Sequence, residues 1–260
     1  MDSYIVFLGD IIGGPGRKCL KTCLNRLRNE MDISVTIANG ENAAGGKGIT
    51  EATAVEIFDS GVDVITLGNH VWKWRDVYRY LDETERIIRP ANYNEETPGH
   101  GWCIVNDKCG RKAGVINLQG RVYMNPSLCP FHTADDILSR HGNEADYWIV
   151  DMHAEATSEK NAMGHYLDGR VAAVVGTHTH IQTADERILP KGTAFITDAG
   201  MTGSHDSILG MEINNVLKFF LTGMPHTFNV AKNDLQMRGV KISMDDTLKP
   251  TDIERLCISF

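Results

Sequence analysis

The chain has 260 residues, of which 42% are hydrophobic and 23% are charged, a composition typical of a globular protein with a sizeable core. Its formal charge at pH 7 is −8, which argues against a long nucleic acid as partner, because binding along a phosphate backbone requires a basic surface. We expect a cytoplasmic protein without a membrane partner, since we recognise no signal peptide or membrane-spanning segment, and the six cysteines form no C-x-x-C pair.

Strands and helices alternate in the N-terminal third of the chain. Continuous apolar runs at 4–8, 34–38 and 62–67 predict buried strands, and helical periodicity at 17–29 and 51–60 predicts the helices between them. Segments of these lengths in this order favour right-handed βαβ units around a parallel sheet.

The rest of the chain continues the α/β pattern. Glycines between Gly13 and Gly16 predict a turn before the first helix, and Thr50 is a suitable cap for the second. Further strands are predicted at 86–89, 102–106, 113–118, 147–152 and 171–175, with a hairpin among the first three. Further helices are predicted at 72–82, 133–141, 157–168 and 211–222, and the other pieces beyond Ile188 look short and β-like. We therefore expect one layered α/β domain over residues 1–260.

Side chains that can bind metal ions follow the ends of five predicted buried strands, those at 4–8, 34–38, 62–67, 147–152 and 171–175. They are Asp10, Glu41, Asn42, Asn69, His70, His153, His178 and His180. Open α/β sheets place their sites at the carboxyl ends of strands, so these residues are expected to meet in one cleft. Oxygen and imidazole ligands without thiolate suit a pair of divalent ions such as iron, manganese or zinc. Glu41 is the natural bridging ligand, because it follows a central strand.

Each of these residues has a simpler interpretation when it is taken alone. Asp10 could be a turn or cap residue, and Glu41 and Asn42 could belong to a solvated loop. His70 could pack against Trp72 or Trp74, and a single histidine is more often a hydrogen-bonded core residue than a ligand. The coincidence of five strand ends, each with a potential ligand, favours the metal site.

Two blocks resemble the calcineurin-like metallophosphoesterases. Gly68-Asn69-His70 is similar to the G-N-H block of that family, and the run from Gly176 to His180 is similar to its G-H-x-H block. Two departures, Ile12 in place of the histidine of D-x-H and Asn39-Gly40-Glu41-Asn42 in place of the aspartate block, match the YmdB-like branch. Further blocks similar to that branch begin at Gly9, Arg89, Asn117, Gln182 and Thr197, so the resemblance covers nearly the whole chain.

The resemblance implies a four-layered α/β/β/α metallophosphoesterase sandwich with two divalent metal ions. One ion would be held by Asp10, Glu41, Asn42 and His180, and the other by Glu41, Asn69, His153 and His178. His70 matches the proton donor of the family. The centres of the family often contain iron, and the oxygen-rich ligand set left by Ile12 suits iron or manganese better than zinc.

The activity that the resemblance implies is hydrolysis of small phosphodiesters, notably 2′,3′-cyclic nucleotides. In such a mechanism a hydroxide that bridges the two metal ions attacks phosphorus, and His70 protonates the leaving ribose oxygen. A phosphomonoesterase or nucleotidase with the same metals and a metal-dependent nucleotide-sensing regulatory protein are the alternative interpretations. Exposed apolar residues in the C-terminal third could form the surface of a homo-oligomer.

Overall fold

Two β-sheets pack face to face and helices cover the outer face of each, which gives four layers in the order α/β/β/α. This computed structural model describes residues 4–260, so residues 1–3 of the predicted domain lie outside the described part. The layered fold predicted from the sequence is confirmed.

Fourteen strands and six α-helices make up the layers within residues 4–260. The strands are β1 (Tyr4–Leu8), β2 (Asp10–Ile11), β3 (Ile33–Asn39), β4 (Val64–Thr66), β5 (Ile87–Ile88), β6 (Trp102–Asn106), β7 (Lys112–Gln119), β8 (Tyr147–His153), β9 (Ala173–Thr177), β10 (Arg187–Ile188), β11 (Ala194–Ile196), β12 (Met201–Ser204), β13 (Leu235–Met244) and β14 (Pro250–Ser259). The helices are α1 (Gly13–Glu30), α2 (Glu51–Asp59), α3 (Val77–Glu83), α4 (Pro130–His141), α5 (Thr157–Leu167) and α6 (Ile213–Thr222). Two short 3₁₀ helices, Val71–Lys73 and Gly142–Glu144, complete the set.

The first sheet has the strand order β2-β12-β13-β1-β3-β4-β5, and β14 pairs with β13. The second sheet has the order β10-β11-β9-β8-β7-β6. Strands β1, β3, β4 and β5 run parallel, as do β7, β8, β9 and β11, which confirms the predicted parallel core. The hairpin predicted between 102–106 and 113–118 is the antiparallel pair β6–β7.

Apolar side chains fill the space between each pair of layers. Phe7 and Ile37 of the first sheet meet Ile149 and Val175 of the second in the central layer. Helices α1, α2 and α3 cover the other face of the first sheet, and α4 and α5 cover the second. Because burial of one such side chain stabilises a fold by about 1.5–3 kcal/mol, these layers fix the two sheets relative to one another.

Helix α1 begins at Gly13 instead of near residue 17, so the glycines form its first turn and not a separate turn. A close approach of two backbones requires glycine at position 16, because a Cβ atom on Gly16 would lie 2.4 Å from the carbonyl oxygen of Thr202 in β12. The prediction treated glycine only as a turn former and therefore placed the start of the helix too late. The predicted cap is confirmed, since the Thr50 hydroxyl accepts a hydrogen bond from the backbone N–H of Thr53.

Two other segments differ from the prediction. The helix expected at 72–82 is divided into the 3₁₀ turn and α3, because Trp74 is extended and its indole Nε1 donates to the carbonyl oxygen of Lys47 at 2.9 Å. The description of the C-terminal pieces as short is wrong, since β13 and β14 have ten residues each. Polar side chains interrupt the apolar run in both strands, half-buried in β13 and mostly exposed in β14, and that interruption hid the length of the strands.

The parallel strands of both sheets end at the same edge of the sandwich. Asn39 is in register with Thr66 in the first sheet, and His153 is in register with Thr177 in the second. Asn39 Nδ2 lies 3.0 Å from Asp151 Oδ2, so the two strand ends are joined across the sheets. The loops that leave this edge carry the candidate ligands.

None of the helices between residues 4 and 260 has both the length and the apolar character needed to cross a membrane.

Candidate metal centre

The loop after β3 turns inward, not toward solvent. Glu41 is 0% exposed and Asn42 is 2% exposed, and the backbone N–H of Glu41 donates to Asn39 Oδ1 at 3.1 Å. Asp10 is also fully buried. The interpretation of Glu41 and Asn42 as a solvated loop is therefore wrong, and Asp10 begins strand β2 instead of serving as a turn or cap residue. Three buried polar side chains thus need partners.

One half of the cluster surrounds the side chain of Asn42. Its Nδ2 lies 3.1 Å from His180 Nε2, 3.2 Å from Glu41 Oε1 and 3.5 Å from Asp10 Oδ1. His180 Nε2 lies 3.7 Å from Asp10 Oδ1. The structure therefore brings together the four residues that the resemblance assigns to the first ion.

The other half of the cluster surrounds Nε2 of His153. This atom lies 3.1 Å from Asn69 Oδ1, 3.1 Å from His178 Nδ1 and 3.2 Å from Glu41 Oε1. These are the four residues that the resemblance assigns to the second ion. Glu41 Oε1 contacts both halves, which is the position that the sequence predicted for a bridging carboxylate.

His70 adjoins the cluster from the solvent side. Its Nδ1 lies 3.1 Å from Asn42 Oδ1 and 3.3 Å from Glu41 Oε1, and its backbone N–H donates to Glu41 Oε2 at 3.1 Å. The side chain is 30% exposed. The alternative in which His70 packs against Trp72 or Trp74 is wrong, because its imidazole is directed at the cluster. His70 can therefore reach both the buried cluster and a molecule in the cleft.

The segment after β9 holds two of the histidines in an uncommon backbone conformation. His178 has φ 97° and His180 has φ 65°, and such left-handed conformations cost about 1–3 kcal/mol each in residues with a side chain. The carboxylate of Asp198 restrains the segment by accepting hydrogen bonds from the N–H of Thr179 at 3.1 Å and from its hydroxyl at 2.7 Å. Asp10 Oδ2 accepts a further bond from the N–H of His178 at 3.1 Å.

Each cluster histidine has an oxygen partner for the ring nitrogen that faces away from the cluster. His153 Nδ1 lies 2.8 Å from Thr177 Oγ1, His178 Nε2 lies 3.2 Å from Glu155 Oε2, and His180 Nδ1 lies 3.1 Å from the carbonyl oxygen of Leu209. Partners of this kind orient histidines that bind metal ions. None of these three partners was predicted from the sequence, although Thr177 lies inside the block that runs from Gly176 to His180.

Burial and mutual charge shift the pKa values of the cluster strongly. Burial raises the pKa of Asp10 to about 6. Burial alone would lower the pKa of His153, but the charge of Glu41 raises it to about 9. Burial works against ionised Glu41, yet His153 and His70 hold its pKa well below the usual range. Burial, with the charge of His153, lowers the pKa of His178 to about 3, so its ring is a neutral nitrogen donor. The two buried carboxyl groups thus share the positive charge of His153, and the neutral ring of His178 adds none. The cluster therefore favours added positive charge.

The donor set fits divalent metal ions. Carboxylate oxygens, amide oxygens and imidazole nitrogens converge without a thiolate, which is the ligand chemistry of iron, manganese and zinc. One ligand atom each from Glu41, His153 and His178 lies within 4.8 Å of the others. The fold and this cluster together imply divalent metal ions as cofactors.

The sequence model of the YmdB-like protein family matches residues 6–256. This chain belongs to the YmdB-like family. The family membership predicted from the quoted motifs is therefore confirmed over nearly the full length of the sequence.

Individual proteins are similar along nearly the whole chain. A Bacillus subtilis (strain 168) protein named 2′,3′-cyclic-nucleotide 2′-phosphodiesterase is 48% identical over 256 residues, which cover 98% of this chain and 97% of the relative. A crystal structure of a hypothetical protein from Thermus thermophilus has a TM-score of 0.92 at 39% identity, with 98% and 99% of the two chains covered. A crystal structure described as a novel phosphatase from Mycoplasma pneumoniae has a TM-score of 0.92 at 32% identity, with 100% and 94% covered.

Proposed function

We propose that this protein is a metal-dependent phosphodiesterase that hydrolyses small phosphodiesters, above all 2′,3′-cyclic nucleotides. The observation that carries the proposal is the division of the cluster into two groups that share Glu41 Oε1, with His70 beside both. The relative named 2′,3′-cyclic-nucleotide 2′-phosphodiesterase, at 48% identity, supports the substrate class and confirms the predicted enzyme class.

Seven residues form the proposed ligand set of two divalent ions. The first ion would take Asp10, Glu41, Asn42 and His180, and the second would take Glu41, Asn69, His153 and His178. We propose iron or manganese, because the set is rich in oxygen donors and contains no thiolate. Two such ions would supply the Lewis acidity that activates water and neutralises charge on the phosphoryl oxygens.

His70 is the proposed proton donor to the leaving ribose oxygen. Its Nδ1 is directed at the oxygen atoms of Asn42 and Glu41, which fixes the orientation of the ring. Within the described residues no hydrogen bond involves Nε2 of His70, so this atom is available to hold a proton for the substrate. Transfer of a proton from His70 to the leaving oxygen would lower the barrier to its departure as an alkoxide.

The test is turnover of 2′,3′-cyclic AMP by protein loaded with Fe²⁺ or Mn²⁺. We expect hydrolysis by the unmodified protein and a strong loss with either Asn69→Ala or His70→Ala. His165→Ala is the matched control, because His165 lies exposed on α5 outside the cluster, and its turnover should equal that of the unmodified protein. Absence of hydrolysis by protein with two bound ions would contradict the proposal.

A phosphomonoesterase with the same residues is the second candidate. The similarity to a structure described as a novel phosphatase favours it. Comparison of turnover for 2′,3′-cyclic AMP and for 3′-AMP separates the two activities, and preference for the monoester would replace the first proposal by the second. A nucleotide-sensing protein would keep its biological effect in the His70→Ala variant, whereas an enzyme would lose it.

The cytoplasmic location, the extent of one domain over residues 1–260 and a homo-oligomer stay predictions. For the last of these, α6 is the candidate surface, because Phe220 is 74% exposed and Leu221 is 82% exposed. Size-exclusion chromatography with light scattering of the Phe220→Ser/Leu221→Ser double variant tests it.

A further inference from the structure

A fully buried carboxylate lies beneath the metal centre without belonging to the ligand cluster. Asp151 is in β8, two residues before His153, so both side chains point to the same face of the second sheet. Its Oδ1 accepts a hydrogen bond from the Thr177 hydroxyl at 2.7 Å, and its Oδ2 accepts one from Asn39 Nδ2 at 3.0 Å. The Thr66 hydroxyl also donates to Oδ2. Three donors therefore occupy this carboxylate.

These hydrogen bonds join the two sheets. Asn39 and Thr66 end strands β3 and β4 of the first sheet, whereas Asp151 and Thr177 lie in β8 and β9 of the second. The proposed ligands are divided between the same two sheets. Asp10, Glu41, Asn42 and Asn69 are attached to strands of the first sheet, and His153, His178 and His180 are attached to the second. The hydrogen bonds of Asp151 thus join the two sheets at the edge where the two groups of ligands meet.

The direction of the hydrogen bonds assigns the proton on His153. Thr177 has one hydroxyl proton, and it donates that proton to Asp151 Oδ1. The contact of 2.8 Å between Thr177 Oγ1 and His153 Nδ1 therefore requires Nδ1 to be the donor. A neutral ring protonated at Nδ1 presents the lone pair of Nε2, the atom that lies among Glu41, Asn69 and His178.

We propose that Asp151 and Thr177 are positioning residues for the metal centre. Asp151 orients the Thr177 hydroxyl, Thr177 holds His153 with its Nε2 lone pair directed at the cluster, and the links to Asn39 and Thr66 keep the two groups of ligands in place. This inference rests on the ligand set of the proposed function. It predicts that loss of either residue weakens the binding of the ion that His153 would hold, while the affinity for the other ion is unchanged.

The first test measures Mn²⁺ binding to metal-stripped protein by isothermal titration calorimetry, with metal content measured independently. Thr177→Val keeps the shape of the side chain and removes the hydroxyl, so we expect about 10–100-fold weaker binding of one ion out of two. Thr177→Ser restores the hydroxyl and should restore affinity. Binding of both ions by Thr177→Val with unchanged affinity would overturn the proposal.

A matched control separates positioning from general loss of a buried hydroxyl. Thr193 is also fully buried, and its Oγ1 donates to the carbonyl oxygen of Val171 at 2.8 Å and accepts from the N–H of Gly169 at 2.8 Å. Thr193→Val should lower the melting temperature of the metal-free protein and leave both Mn²⁺ affinities unchanged. If Thr193→Val weakened Mn²⁺ binding as much as Thr177→Val does, the specific role of Thr177 would be refuted.

Asp151→Asn tests the direction of the hydrogen bonds without a change of shape. The new amide nitrogen can donate to Thr177 Oγ1, which makes the hydroxyl donate to His153 Nδ1 and places the ring proton on Nε2, toward the cluster. We expect weakening of the same ion, on the order of tenfold or more. Full affinity in Asp151→Asn would refute the assigned direction. If the unmodified protein itself bound no Mn²⁺, the proposed function would fail, an outcome distinct from either result with the variants.

Discussion

Lys160 Nζ lies 2.7 Å from Asp198 Oδ2 in an ion pair that is withdrawn from solvent, with side-chain exposures of 1% and 0%. The same carboxylate oxygen accepts hydrogen bonds from the N–H and the hydroxyl of Thr179, the residue between His178 and His180. A charge on α5 is thereby linked through one carboxylate to the backbone that carries two proposed ligands.

Removal of the lysine charge should destabilise the fold strongly. Lys160→Met leaves the Asp198 carboxylate buried without its cation, and loss of one partner of such a pair typically costs about 3–5 kcal/mol of unfolding free energy. The exposed pair Arg79–Glu83, with side-chain exposures of 77% and 60%, provides the control, and Arg79→Met should cost less than about 1 kcal/mol. Urea unfolding of the metal-free variants measures both, and equal losses would contradict the structural role of the buried pair.

Two single variants should distinguish the loss of proton donation from the loss of metal binding. His70→Ala should lower kcat by about 10²–10⁴-fold, the usual contribution of a general acid, while two metal ions remain bound. Asn69→Ala removes the oxygen that lies 3.1 Å from His153 Nε2, so we expect weaker binding of one ion together with lower turnover. Metal content and kcat are measured on the same preparations. Loss of metal in His70→Ala would identify His70 as a ligand and leave the proton donor unassigned.

Gly68 is required by the closeness of its backbone to the cluster. A Cβ atom at this position would lie 2.3 Å from both Glu41 Oε2 and His153 Nε2. Gly68→Ala must therefore displace a proposed ligand, and displacement of catalytic groups by about 1 Å can reduce turnover by about 100-fold. Gly142 is the control, since a Cβ atom added there would have no neighbour among the described residues within 4 Å and its φ of −54° is helical. Gly142→Ala should keep full turnover and gain about 0.4–1 kcal/mol of stability.

The ligand set could be predicted from the sequence because it follows from topology. Parallel strands of similar length end at one edge, so a polar residue directly after each apolar run lies in the same cleft. Asp10, Asn69 and His153 were found in this way, at the ends of runs that the hydrophobic pattern shows clearly. The family motifs then divided the set between two ions.

The partners of those ligands could not be predicted, because they depend on distances between elements that are remote in sequence. Asn39 and Asp151 are 112 positions apart and meet only because the two sheets pack face to face. The carbonyl oxygen of Leu209 reaches His180 from a loop that lies beyond β12. The length of strand β13 was underestimated for a related reason: it pairs antiparallel with β1, and that long-range pairing stabilises a segment whose own pattern is only partly apolar.

Metal ions should stabilise the protein more at high pH than at low pH. In the metal-free protein burial alone would lower the pKa of His153, but Glu41 raises it from 6.5 to about 9. The proton on His153 therefore contributes stability that is complete below pH 6.5 and is lost as the pH rises through 9. The proton on Asp10 has the same effect on stability at lower pH, because burial raises the pKa of this carboxyl group from 3.8 to about 6. A bound ion takes the place of the proton, so the loaded protein should lack this dependence.

We therefore expect the melting temperature of the metal-free protein to fall between pH 6.5 and 9, while that of the Mn²⁺-loaded protein stays nearly level. Differential scanning fluorimetry across this range measures the gap between the two, which should widen with pH. His153→Gln removes the titrating ring and should flatten the curve of the metal-free protein. A gap that narrowed as the pH rose would contradict the role assigned to the proton on His153, because loss of that proton leaves the charge of buried Glu41 without compensation in the metal-free protein.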